Sequence, residues 1–240
     1  MKAFQIMKNK IYGIGVGPGD PELITIKAKR ILERADLIVY PAPENGNSIA
    51  KSIAAPHFPK EYEELPICIP MSANRFPAMK IYQLASKKIF QAVQENKTIV
   101  ILCEGDPFFY GSFMYIFGII SKKYTVEVVP GISSLMASAA VLESPLAAGN
   151  DILTVIPAPL ENDVIEKQIE MADAVAIIKL GRHFPRVREL IDKLGLLENS
   201  VYIERATMSN ERIIDIGAIN ENDVPYFSII LLHTRNKAWL

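Results

Sequence analysis

The stretch "IYGIGVGPGDPELITIKA", residues 11–28, sets the architecture. It passes from an apolar, β-prone run through a glycine-dense turn into apolar residues at helical spacing. That order is the start of a βαβ unit, with the turn at the strand's C-terminal end. Residues 10–16 predict a first strand and residues 21–35 a helix, with Leu23, Ile24, Ala28, Ile31, Leu32 and Ala35 approximating one face. Asp20 suits the N-cap, and Pro21 the first helical position, where a missing N–H costs nothing. The turn holds Gly13, Gly15, Gly17 and Gly19, but not at dinucleotide spacing. Counted from Gly13, the third position of G-x-G-x-x-G falls on Pro18; counted from Gly15, it falls on Asp20. Pro18 removes an N–H that a phosphate nest would use, and Asp20 sets a negative charge where a pyrophosphate would sit. The turn is suited to close backbone approach by something other than phosphate, or simply to a tight strand-to-helix connection.

Outward from this unit the alternation continues. Residues 36–40 predict a second strand. The segment 41–78 holds seven of the sixteen prolines and reads mostly as loop, with a short helix near 47–55 and a short strand near 65–69. A helix over 79–95, a strand over 97–103, a helix over 112–121 and a strand over 125–129 follow. Alternation of this kind implies a parallel sheet. Beyond it, strands over 151–156, 174–179, 199–203, 213–217 and 227–233 are separated by only two clear helices, 161–171 and 184–194. Strands following strands imply a mixed sheet. The expected fold is therefore α/β with two domains: residues 1–120 mainly parallel and residues 121–240 mixed, divided near "GIISKKY".

Composition narrows the function. The chain has 240 residues, half of them apolar, and a net charge of −1, so it lacks the basic excess of a nucleic-acid binder. Cys68 and Cys103 form no CxxC and lie in apolar stretches, which reads as two buried, reduced thiols. His57, His183 and His233 are too far apart for a metal pattern, and no metal is expected. The start, "MKAFQIMKNK", has no apolar signal core, and no run approaches the ~20 apolar residues of a membrane span. A cytoplasmic protein without a membrane partner is expected. No GxSxG elbow and no P-loop occurs.

Two further turns share the character of the first. "CEGDPFFYG", residues 103–111, ends a strand, repeats Gly-Asp-Pro and brings Glu104, Asp106 and Tyr110 to one short loop. "VEVVPGISSLMASAAVLESPLA", residues 126–147, ends a strand in Pro130-Gly131, and Ser133 or Ser134 can cap the helix that follows. In a parallel sheet the loops after strand C-termini gather at one edge, where ligands bind. Two acids disfavour phosphate and favour a hydroxyl-rich or cationic ligand. A ribose and an adenine without phosphate fit S-adenosylmethionine. Of the basic residues in or near loops (Arg75, Lys80, Arg182, Arg186, Arg205 and Arg212), most read as solvated surface, and some can hold carboxylates as bidentate forks.

The segments "GVGPGDPELITIKA", "VILCEGDPFFYGSFMYIF", "EVVPGISSLMASAAVLESPLA" and "IIKLGRHF" resemble, in this order, the tetrapyrrole methylases. These enzymes methylate uroporphyrinogen III and corrin precursors with S-adenosylmethionine. "EGDPFFYGSFM", "VYPAP" with "GNSIA", and "ATMSNERI" are most similar to the branch that acts on precorrin-2 at C20; the cobalt-loaded substrate is the alternative. The resemblance implies an active site in an interdomain cleft, a homodimer, and a folded S-adenosylmethionine held by loops. By motif it assigns cofactor contacts to Pro18, to Glu104, Gly105, Asp106 and Phe109, and to Ser133 and Ser134. It assigns further contacts to Leu180 and to Pro225-Tyr226-Phe227. Several relatives carry an aspartate after the second strand's tyrosine, offered as a general base. Here Tyr40 is followed by Pro41, which excludes a base there and fits a carbon that is already nucleophilic. Tyr110 and Glu104 are the remaining candidates for catalysis.

Overall fold

The structure is a computed structural model and describes residues 11–44, 47–68 and 75–235. Lys10 of the first predicted strand, the N-terminal segment before it and Gly46 lie outside the described residues, as does the side chain of Arg75. The chain divides into two units, residues 1–133 and 134–240.

The first unit holds a five-stranded parallel sheet built from β1 (Ile11–Gly15), β2 (Leu37–Ala42), β3 (Glu63–Cys68), β4 (Ile99–Cys103) and β5 (Val126–Val129). The spatial order is β3-β2-β4-β1-β5. β1 and β4 are buried along their whole length, as inner strands covered on both faces must be. On one face Tyr12, Ile14, Ile38, Val100 and Leu102 pack with α1 (Ile26–Leu32) and α2 (Ile49–Ala54). On the other, Ile11, Val39, Ile99 and Ile101 pack with α3 (Arg75–Gln94) and α4 (Phe113–Ile120). Gly13 belongs to this second core: a Cβ there would lie 2.1 Å from the ring of Phe113. The first glycine of the opening turn thus makes room for an aromatic of α4.

The second unit holds a mixed sheet in the order β6-β7-β10-β8-β9. Its strands are β6 (Leu153–Pro157), β7 (Ala174–Ile178), β8 (Ser200–Glu204), β9 (Arg212–Ile214) and β10 (Ser228–His233). β6 and β7 are parallel, and β10 runs against both β7 and β8. Helices α6 (Asn162–Glu170) and α7 (Phe184–Lys193) cover one face, burying Ile165, Ile169, Phe184, Val187 and Leu190. Helix α5 (Ser134–Val141) covers the other, with Leu135 among Ala176, Ile203 and Leu231. One parallel and one mixed α/β sheet is the class expected from the alternation of elements.

Three expectations differ from the structure. The division falls after Ser133 and not after residue 120, because β5 pairs with β1 and completes the first sheet. The helix expected over 21–35 is two elements: Asp20 caps a 3-10 turn over Pro21–Leu23, and Thr25, extended at φ −64°, ψ 146°, caps α1 by accepting from Ala28 N–H at 3.2 Å. Two caps five residues apart give two N-termini. Cys68 is exposed, because β3 is an edge strand that turns Leu65 and Ile67 inward and Pro66 and Cys68 out; Cys103 is buried as expected.

Candidate active site

The connections out of the central strands leave in opposite directions. β1 leads through α1 to β2, beyond β4, and β4 leads through α4 to β5, beyond β1. Ligands of open α/β sheets bind at such a switch point, outside the strand C-termini. The turns after β1, β4 and β5 meet there. Val16 N–H donates to the Cys103 carbonyl at 2.9 Å. Gly17 and Gly105 exchange a pair of bonds, at 3.3 Å from Gly17 N–H and 2.9 Å from Gly105 N–H. Gly17 can do so because its φ is +80°, a value that a side chain would strain. The third turn packs on the first two without side chains between them. A Cβ on Gly15 would lie 2.5 Å from the Gly105 carbonyl, and one on Gly131 would lie 2.1 Å from that same oxygen.

Asp106 ties this knot. One carboxylate oxygen accepts from Phe108 N–H at 2.9 Å and the other from Gly131 N–H at 3.0 Å. Glu104 Oε1 accepts from Ala50 N–H at 3.3 Å, satisfying a donor in the first turn of α2. Burial pushes the Glu104 carboxyl above its ordinary value, against the backbone N–H groups of Glu104 and Ala50, which favour its ionised form. Pro18 is buried beside Gly17. Phe109 and Tyr110 stand edge-to-face, 5.0 Å apart, on the exposed side of the turn, and Tyr110 has φ +55°. Ser133 ends the first unit, and Ser134 opens α5 in the second. Behind the knot the Cys103 thiol is pushed up to about 12 by burial, which makes it inert. At the end of β2, Tyr40 O–H and Lys51 Nζ both donate to Glu64 Oε2, at 2.6 and 2.7 Å, and Pro41 follows.

This arrangement has a chemical consequence. The N–H groups of Val16, Gly17 and Gly105 bond carbonyls of the neighbouring turn, and Pro18 has none. The nest that a pyrophosphate requires is absent from these residues. What faces outward is aromatic: Phe108, Phe109 and Tyr110 are exposed.

In the second unit, β6, β7 and β8 end at one edge, where β10 begins. Leu180 is fully buried in the core, turned inward between Lys179 at φ +61° and Gly181 at φ +41°. The Gly181 backbone approaches that of Tyr226, and Arg205 N–H donates to the Phe227 carbonyl at 2.7 Å. Tyr226 and Phe227 stand edge-to-face at 5.2 Å, both exposed, and the carbonyl of Pro225 accepts from Ser228 O–H. Arg186 is a local clamp: it donates to the carbonyls of Ala158 and Leu160 and to Asn162. The sequence reading missed Glu204. It is 1% exposed at the end of β8, accepts from Tyr202 O–H at 2.8 Å, and pairs with Arg205 and Arg212. Burial, and then the bond to Glu204, push the Tyr202 phenol up. Its sequence signal is thin: one acid that follows Val201, Tyr202 and Ile203 and precedes Arg205.

The model of the family "Tetrapyrrole (Corrin/Porphyrin) Methylases" matches residues 10–221. The chain belongs to this family of methyltransferases. Among its relatives, the cobalamin biosynthesis protein CobIJ of Mycobacterium tuberculosis is 34% identical over 94% of this chain. This chain spans about half the length of that relative, 46%. The precorrin-2 C(20)-methyltransferase of Sinorhizobium is 30% identical, over 93% of this chain and 94% of that protein. The cobalt-precorrin-2 C(20)-methyltransferase of Salmonella typhimurium is 29% identical, over 97% of this chain and 98% of its own length. The fold is that of the uroporphyrin-III C-methyl transferase of Thermus thermophilus complexed with S-adenyl homocysteine, at a TM-score of 0.68 and 21% identity, covering 94% of this chain and 97% of that one.

Proposed function

We propose that this protein is an S-adenosylmethionine-dependent C-methyltransferase that methylates precorrin-2 at C20, giving precorrin-3A in cobalamin biosynthesis. Nearly full-length similarity to an enzyme named for that reaction supports the substrate. The observation that carries the cofactor is the knot of three turns, which engages its own N–H groups and leaves no phosphate nest among Val16, Gly17, Pro18 and Gly105. A nucleoside without phosphate fits such an edge. In the first unit Pro18, Glu104, Gly105, Asp106, Phe109 and Ser133 are the proposed cofactor contacts. In the second, Ser134, Leu180, Pro225, Tyr226 and Phe227 complete the proposal. Since Leu180's side chain is buried, its segment offers a ligand backbone atoms. A cytoplasmic homodimer is part of the same proposal.

The cofactor supplies a methyl group on a sulfonium, which needs no activation by the protein. The substrate carbon is enamine-like and attacks the sulfonium methyl without prior deprotonation. The new C–C bond replaces the S–CH3 bond, S-adenosylhomocysteine leaves, and one proton is then lost from the substrate, with Glu104 and Tyr110 as the candidate acceptors. A base is not needed for the attack, which agrees with Pro41 after Tyr40 and with the engagement of Tyr40 O–H by Glu64. The chain's own work is to bind and align, which is worth up to ~7–11 kcal/mol in favourable cases. The test is incubation of the purified protein with S-adenosylmethionine and either metal-free or cobalt-loaded precorrin-2. The expected result is one methyl gained by the metal-free substrate, read by mass spectrometry. Preference for the cobalt substrate reassigns the substrate. Calorimetric binding of NADH but not S-adenosylhomocysteine removes the cofactor assignment.

A further inference from the structure

The cluster at the end of β8 is more than a core ion pair. Glu204 is buried, and its carboxylate accepts from the buried Tyr202 O–H at 2.8 Å. Its other oxygen meets two guanidinium groups, Arg205 Nη1 at 3.3 Å and Arg212 Nη1 at 3.5 Å. One carboxylate therefore stands against two cations. Asp223 offers the only other acid on Arg212 among the described residues, at 3.8 Å and largely in solvent. Each guanidinium carries five N–H donors in a fixed fork, and Glu204 meets one nitrogen of each. Arg212 is about half exposed, on the edge strand β9.

Arg205 is held at φ +50°, a backbone value that costs a non-glycine residue free energy. Its N–H is fixed to the Phe227 carbonyl, which sets it next to the exposed rings of Tyr226 and Phe227. A core salt bridge requires neither a second arginine nor a strained backbone. Exposed aromatic rings beside two arginines suit a ligand that is itself an apolar ring edged with carboxylates.

We propose that Arg205 and Arg212 bind a side-chain carboxylate of the tetrapyrrole, and that Glu204 is the positioning residue that aims both. This rests on the substrate reading above, since a ligand without carboxylates has no use for the fork. Tyr202 orients Glu204 and touches no ligand.

The test is steady-state kinetics with precorrin-2 and S-adenosylmethionine, beside calorimetry with S-adenosylhomocysteine. Arg212→Gln is expected to raise KM for the tetrapyrrole about tenfold, with kcat and S-adenosylhomocysteine affinity little changed. Arg212→Lys keeps the charge without the fork and is expected to recover only part of the loss. Glu204→Gln is expected to raise KM in the same direction, without the cofactor defect of a misfolded protein. Lys193→Gln removes a charge from exposed surface in the same unit and is expected to leave KM unchanged. An active wild type whose KM does not move in Arg212→Gln and Arg205→Gln overturns the fork and spares the substrate reading. A wild type that methylates no tetrapyrrole overturns both.

Discussion

The C-terminal edges of the two sheets are made of different materials. In the first unit the edge is backbone against backbone: Gly15, Gly105 and Gly131 in contact, N–H groups answered by carbonyls of the next turn, and one carboxylate tying two loops. In the second it is side chain against side chain: a buried Glu204, two arginines, a tyrosine hydroxyl, and left-handed backbone at Lys179, Arg205 and Thr207 without glycine. A backbone edge tolerates almost no added atom, because its partners cannot rotate away. A side-chain edge accepts added volume and is sensitive to lost charge.

The contrast can be broken by mutation. Gly131→Ala places a carbon 2.1 Å from the Gly105 carbonyl. The expected loss is at least about 3 kcal/mol of unfolding free energy by urea titration. A near-wild-type midpoint would show that the knot can open. In the second unit Glu204→Ala removes the carboxylate that accepts from the buried Tyr202 hydroxyl, leaving it Ser228 alone, and is expected to cost about 2–3 kcal/mol. Adding Tyr202→Phe to it should recover part of that loss, and strict additivity would separate the two residues. Asp106→Ala removes the acceptor of two N–H groups, for an expected roughly 1–2 kcal/mol. Its S-adenosylhomocysteine affinity is expected to fall while unfolding stays cooperative; wild-type affinity in the folded variant takes Asp106 out of the site. Gly181→Ala is the counterpart of Gly131→Ala. Its new carbon meets nothing closer than the Tyr226 Cα at 3.8 Å. Only the left-handed backbone resists, for about 1 kcal/mol.

The smallest effect is a pH dependence. The Glu104 carboxyl is raised in the folded protein, so the fold favours its protonated form. Its contribution is fully present below the ordinary glutamate range and is lost as pH rises through the raised value. Glu104→Gln is always neutral. Its stability relative to wild type is expected to grow as pH rises through that window and to level off above it. A difference that shrinks with rising pH would contradict the burial of this carboxyl.

The same contrast explains what could be read from the sequence. The first edge was legible because glycine and proline act locally: Gly17 at its left-handed φ and Pro18 without its N–H are visible as letters. The strands followed from uninterrupted apolar runs, such as "IVILC" in β4, buried on both faces. The break before α1 was hidden because Leu23 and Ile24 continue the apolar spacing while Thr25 acts as a cap. The division after Ser133 depends on β5 pairing with β1, more than a hundred residues earlier, which no local pattern records. Glu204 was missed for the same reason. Burial and partnership with Arg212 are products of the β8–β9 pairing.

The central claim is methyl transfer to C20 of precorrin-2. It is tested most directly by supplying S-adenosylmethionine with an isotope-labelled methyl group and locating the label in the product by NMR. The predicted result is one labelled methyl, on C20, formed in proportion to enzyme. A label at any other ring carbon, or none in the tetrapyrrole, would contradict it.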